Sequence, residues 1–174
     1  STEDGIRRLH NKDDKKGFVV DKNTIAIFRG SVVRRDSWMD IVSMFEKDKV
    51  CCVNSRNCIE ICTDKYRTSI KLADFGLRQP ESEIGLDSIV QLINKQDEDS
   101  DLLVQEYVKT DYDVRVLVLG GKVLATMKRP VIKGDFRSNV SQGSKPEELK
   151  LTELEIEECI KASKAVNGLW TAVD

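Results

Sequence analysis

The sequence has one histidine, no long apolar run and almost no excess of either charge, and each scarcity removes a class of function. The lone His10 sits among polar neighbours, Asn11, Lys12, Asp13 and Asp14, with no residues nearby that would complete a metal or acid–base site. A bilayer-crossing helix needs about 20 consecutive apolar residues, and no stretch approaches that length. The 28 basic and 30 acidic residues give a formal net charge of −2 and a pI near 5.6, a balance that does not point to nucleic acid. The opening Ser1-Thr2-Glu3-Asp4 lacks the basic-then-apolar order of a signal peptide. A cytoplasmic location with no membrane partner is the expectation.

The 5 cysteines total an odd number, which argues against a closed disulfide framework. Cys51, Cys52, Cys58 and Cys62 lie close together, but their spacing matches no common zinc pattern. Reduced thiols packed as small hydrophobes are the expected state.

What is present is the composition of a globular protein: 174 residues, 40% hydrophobic and 33% charged. Thr24 to Arg29 reads as a short buried strand. Asp36-Ser37 then starts a helix whose apolar face is Trp38, Ile41, Val42 and Phe45. Val50–Val53 is a second strand, and residues 55–62 read as helical. Asp64 caps a further helix that stops at Phe75-Gly76. Strands alternating with helices point to an α/β layer with a largely parallel sheet.

The pattern changes near residue 80. Leu86, Ile89, Val90 and Ile93 form a helical stripe, followed by an acidic run, Asp97 to Asp101, read as a solvated loop. Leu102–Val108, Tyr112–Leu119 and Lys122–Lys128 are strand-like, and Gly120-Gly121 joins the last two as a hairpin turn requiring positive φ. Thr152-Glu153-Leu154-Glu155 is a capping box opening a helix that ends at Asn167-Gly168 before a last strand, Leu169–Val173. The expected organisation is α/β over residues 1–80 and α+β over 81–174.

Lys128, Arg129, Lys133 and Arg137 crowd one segment, and such cations can grip phosphate or carboxylate oxygens. Basic clusters are more often solvated faces. The ordered blocks are more specific: Val104-Gln105-Glu106-Tyr107-Val108-Lys109, Asp113-Val114-Arg115, Met127-Lys128-Arg129, Phe136-Arg137-Ser138-Asn139 and Ala172-Val173-Asp174. Together they resemble the ATP-grasp family, and within it the α-L-glutamate ligases. Arg29-Gly30, Asn54-Ser55 and Thr63-Asp64-Lys65 extend the likeness into the first half.

The resemblance implies an ATP-grasp fold with a preceding βα domain, and an enzyme that phosphorylates a carboxylate and joins it to an amine. It makes Glu106, Tyr107 and Val108 the hinge that holds adenine and ribose, with Asp113 also on the nucleotide. Lys65, Lys128, Ser138 and Asn139 become nucleotide contacts, and Arg137 and Arg129 catalytic residues. Asp174 becomes a ligand of Mg²⁺, with Mn²⁺ as the alternative ion. Implied partners are ATP, an amino acid (glutamate) and a peptide or protein carboxylate; a homo-oligomer is compatible.

The sequence departs from the family pattern in two places. Between Glu83 and Ile84 the family has two further strands, one with a phosphate-binding lysine, and a glycine-rich lid; after Asp174 it has a second acidic ligand and an Asn. The expectation is therefore that residues 83 and 84 are not peptide neighbours, and that the sequence joins ordered segments of a longer chain. Without the lid and the second ligand, the competing reading is a nucleotide-binding regulatory or scaffold module without catalysis.

Overall fold

A computed structural model describes residues 2–3, 6–10, 13, 16–28, 35–80, 82–84, 103–131 and 147–174. The chain forms two compact units, residues 1–59 and 60–174. The change of sequence pattern near residue 80 falls inside the second unit, which also contains the helix that Asp64 caps.

In the first unit, strands β1 (Thr2–Glu3), β2 (Ile6–Leu9) and β3 (Phe18–Val20) form an antiparallel meander. The sequence reading found no strands here, because charged residues interrupt the short apolar pairs. β4 (Ile25–Ile27) and β5 (Cys51–Val53) pair in parallel, Ile27 opposite Val53. A parallel pair needs a crossover, and α1 (Arg35–Lys47) supplies it. The buried face of α1 is Met39, Val42 and Phe45, at successive three-residue steps, while Ile41 is 41% exposed instead of joining the core. Phe45 packs with Val20 and Val50, and its ring centroid lies 5.8 Å from that of Phe28. Of the clustered thiols only Cys58 is buried, Cys51 and Cys62 being exposed, so the expectation of packed small hydrophobes holds for one of them fully. Helix α2 (Arg56–Cys62) follows β5.

In the second unit, α3 (Lys65–Asp74) starts at Asp64, whose carboxylate accepts 3.0 Å hydrogen bonds from the amides of Tyr66 and Arg67. β6 (Ser82–Ile84) pairs antiparallel with β7 (Leu103–Gln105), Glu83 opposite Val104. Glu83 and Ile84 lie together in β6, whose three residues all have partners on β7. β7 is shorter than the strand expected over 102–108, ending at Gln105, and the residues from Glu106 to Val108 are exposed. The stripe of residues 86–93 and the acidic run of residues 97–101 lie outside the described residues.

β8 (Tyr112–Leu119) and β9 (Lys122–Pro130) form the hairpin, with φ of 57° at Gly120 and 76° at Gly121, as the turn chemistry requires. β10 (Trp170–Val173) pairs antiparallel with β8 on its other side, giving the order β10-β8-β9. Helix α4 (Glu153–Ala165) lies against this sheet, and Val116, Val118, Ala162, Ala165 and Val166 are buried. Its capping box is complete: Thr152 accepts from the Glu155 amide, and the Glu155 carboxylate accepts from the Thr152 amide at 2.7 Å. At its other end Asn167 has φ of 54°, and Gly168 brings the chain close enough to β10 that a Cβ there would stand 2.2 Å from Cγ2 of Thr171. Among the described residues no helix is long and apolar enough to cross a membrane.

Candidate functional site

Alternation along β8 sends Val116 and Val118 into the core beside α4, and Asp113 and Arg115 to the opposite face of the sheet. The strand registers then fix their neighbours. Asp113 stands opposite Arg129 on β9, and Asp174 follows Val173, whose partner is Val116, so it reaches Arg115. The result is a ladder of alternating charge. Arg129 Nε and Nη2 donate to the two Asp113 oxygens at 2.6 and 2.5 Å, a bidentate fork. Arg129 Nη2 also donates to Asp174 Oδ1 at 3.1 Å, and Arg115 Nε donates to that same oxygen at 2.6 Å.

The two ends of the ladder differ in exposure. The Arg129 side chain is only 6% exposed, with Asp113 at 29%. Arg115 and Asp174 are 39% and 46% exposed. Hydrogen bonding to Asp174 is the main reason that the Arg115 guanidinium is held above its ordinary value, while partial burial acts the other way. Arg115 was not singled out in the sequence; its signal was the period-two spacing from Asp113 on a strand.

The other expected site residues are placed as follows. Arg129 is buried, with Nε and Nη2 donating to the Asp113 and Asp174 carboxylates. Lys128, next to Arg129 on a strand, necessarily points to the other face, and its Nζ sits 4.4 Å from the centroid of the Tyr112 ring. That separates it from Asp113 and Asp174. Glu106, Tyr107 and Val108 are together in an exposed segment after β7, with Tyr107 65% exposed. Lys65 opens α3 and lines a cavity of about 590 Å³. Thr68, Gln79, Gln105, Cys159 and Asp174 also line it, so the cavity draws together α3, α4 and the ends of β7 and β10. Gln79 closes one wall by donating to the Ser69 carbonyl at 2.6 Å while accepting from its hydroxyl at 3.0 Å. Burial first, and then the carboxylates of Glu155 and Glu158, push the Cys159 thiol up. Arg137, Ser138 and Asn139 lie outside the described residues.

Asp174 faces two guanidiniums, and among the described residues no group of three or more acidic, His or Cys side chains that could hold a metal occurs.

The fold is that of ATP-grasp ligases. A D-alanine–D-alanine ligase from Bacillus anthracis, complexed with ATP, aligns with a TM-score of 0.65 at 15% identity over 86% of this chain and 62% of its own. The ATP-grasp ligase PsnB, complexed with a minimal precursor, Mg and ADP, aligns with a TM-score of 0.60 at 14% identity over 96% of this chain and 70% of its own. Residues 83–174, more than half of the chain, match the RimK-like ATP-grasp domain, and the chain belongs to that family. A probable α-L-glutamate ligase from Psychromonas ingrahamii is 42% identical over 77 residues, which are 43% of this chain and 26% of that protein. Its counterpart from a Picosynechococcus species is 40% identical over 78 residues, again 26% of that protein. The matched segment thus spans about a quarter of each relative.

Proposed function

We propose that the intact protein is an ATP-dependent carboxylate–amine ligase. A carboxylate oxygen of the acceptor attacks the γ-phosphorus of ATP, releasing ADP and forming an acylphosphate. The amine of an incoming amino acid then attacks the acyl carbon, phosphate leaves with the former carboxylate oxygen, and the amine loses a proton. The match of residues 83–174 to the RimK-like ATP-grasp domain carries this reading. Glutamate as the incoming amino acid rests on the names of the two relatives, and a peptide or protein carboxylate as acceptor on the precursor-bound neighbour. A βα domain over residues 1–80 preceding the ATP-grasp part, and a cytoplasmic setting, belong to the same reading.

The protein's part is positioning and charge stabilisation. In this reading Glu106, Tyr107 and Val108 hold the adenine and ribose, and Lys65 approaches the phosphates. Arg137, with Ser138 and Asn139, offsets charge on the transferring phosphoryl. Asp113 acts at the nucleotide end of the ladder that Arg129 braces. ATP arrives as its magnesium complex, as part of the substrate. Calorimetry on the full-length protein tests the first step: nucleotide binding that depends on magnesium at millimolar ATP supports it, and none at that concentration overturns it.

A further inference from the structure

We propose that the exposed face of α3 is the surface through which two copies of this chain pair, antiparallel and about a two-fold axis. Tyr66, Ile70 and Ala73 recur at i, i+4 and i+7 and so share one face of the helix. All three are exposed, Tyr66 at 42% and Ile70 at 44%, and α3 has no buried residue. The cavity lies on another side of the helix, lined by Thr68, Ser69 and Leu72. Helices in proteins draw most of their stability from burial of an apolar face, so this stripe gains from a cover. The charges beside it select a second copy as that cover. Centring an antiparallel pair on Ile70 sets Ile70 against its own copy and Tyr66 over the second copy's Ala73, whose small side chain leaves room for the ring. The same register brings Arg67 within one residue of the second copy's Asp74. Arg67 and Asp74 edge the stripe on the same flank, two turns apart, and two-fold symmetry makes their contact twice. Within the chain Arg67 pairs with Asp64 at 3.3 Å and Asp74 with Lys71 at 3.5 Å, exposed pairs that exchange readily. A helix of 10 residues offers less than the roughly 1,200 Å² of a standard interface, so the dimer is weak and depends on concentration. It leaves the cavity side, with Lys65, open. The inference does not rest on the ligase reading.

The test is sedimentation equilibrium on the full chain, with a reductant so that the exposed Cys51 and Cys62 cannot link copies. The parent is expected to form a dimer as concentration rises, and Ile70→Glu is expected to abolish it. Arg67→Asp alone, or Asp74→Arg alone, sets like charges together at both contacts and is expected to weaken self-association about tenfold. Both changes place charge as the helix dipole favours, acid towards the start of α3 and base towards its end, so the helix is kept. Circular dichroism matching that of the parent checks this. Mixing the two single variants restores opposite charges at both contacts, and so does combining them in one chain. Either is expected to return association to the parent's strength, which general stickiness of an apolar stripe would not do. A parent that stays monomeric up to about 1 mM leaves the stripe to a different occupant and overturns the proposal. A dimer that survives Ile70→Glu, or single charge variants that stay weak when mixed, overturns it as well.

Discussion

Asp174 meets Arg115 across the β8–β10 pairing, and the same carboxylate lies 3.1 Å from Nη2 of the buried Arg129 on β9. One residue past the end of β10 thus ties together all three strands of the sheet. The inner half of this ladder carries stability. Removing one member of a buried pair leaves the other uncompensated, at about 3–5 kcal/mol. Arg129→Ala is expected to cost about 3 kcal/mol, the low end of that range, because Asp113 keeps 29% exposure. Chemical denaturation measures this, and a loss below about 1 kcal/mol, the worth of a surface pair, would mean that the ladder does not brace the sheet.

The approach of the loop after α4 to β10 depends on a missing side chain. Gly168→Ala puts a methyl 2.2 Å from Cγ2 of Thr171 and 3.3 Å from the Ser163 carbonyl. Overpacking of this kind costs about 1–3 kcal/mol. Thr171→Ser removes the opposing methyl and keeps the hydroxyl, which bonds to Ser163 Oγ at 2.9 Å. In the double variant, thermal melting should recover most of the loss. Equal melting temperatures for the single and double variants would show that the clash lies elsewhere.

The capping box makes α4 sensitive to acid. Thr152→Ala is expected to lower stability by about 1 kcal/mol at neutral pH. The Thr152 amide and hydroxyl hold the Glu155 carboxyl below its usual range, the amide contributing most. A depressed carboxyl contributes stability that is full above its unfolded value, about 4.3, and is lost as pH falls through the folded value. The difference between wild type and Thr152→Ala should therefore shrink in acid, without vanishing, because the Thr152 hydroxyl still accepts from the Glu155 amide at 3.3 Å. A difference that grows towards acid would contradict this.

Arg137, placed by resemblance, yields a kinetic prediction. If it acts on charge that develops during phosphoryl transfer, Arg137→Ala lowers turnover by about a hundredfold or more with a smaller change in ATP affinity. Steady-state kinetics of the full-length protein separate the two. A loss confined to ATP affinity would make it a binding residue.

Local chemistry was legible in the sequence wherever a few adjacent residues decide the structure. The Asp64 cap, the Gly120-Gly121 turn, the Thr152 box and the Asn167-Gly168 stop are all of that kind. Strand pairing is not local. The meander of β1, β2 and β3 joins segments whose side chains are too polar to announce strands, and nothing in Ser82-Glu83-Ile84 names Leu103-Val104-Gln105 as its partner. The same limit applied to the site. Asp113, Arg129 and Asp174 were identified by block order, but only the registers of β8 with β9 and β10 make them a ladder and bring in Arg115. Register also separates Lys128 from Arg129, adjacent in sequence and on opposite faces of one strand.

The most direct test of the ligase reading follows an oxygen atom. The full-length protein is supplied with ATP, magnesium, glutamate and a peptide whose C-terminal carboxylate carries heavy oxygen, and the products are read by mass spectrometry. Transfer through an acylphosphate predicts a glutamyl peptide, unlabelled ADP and inorganic phosphate carrying one labelled oxygen per bond formed. Label appearing in AMP, or ATP bound and left intact with the peptide unchanged, would contradict it.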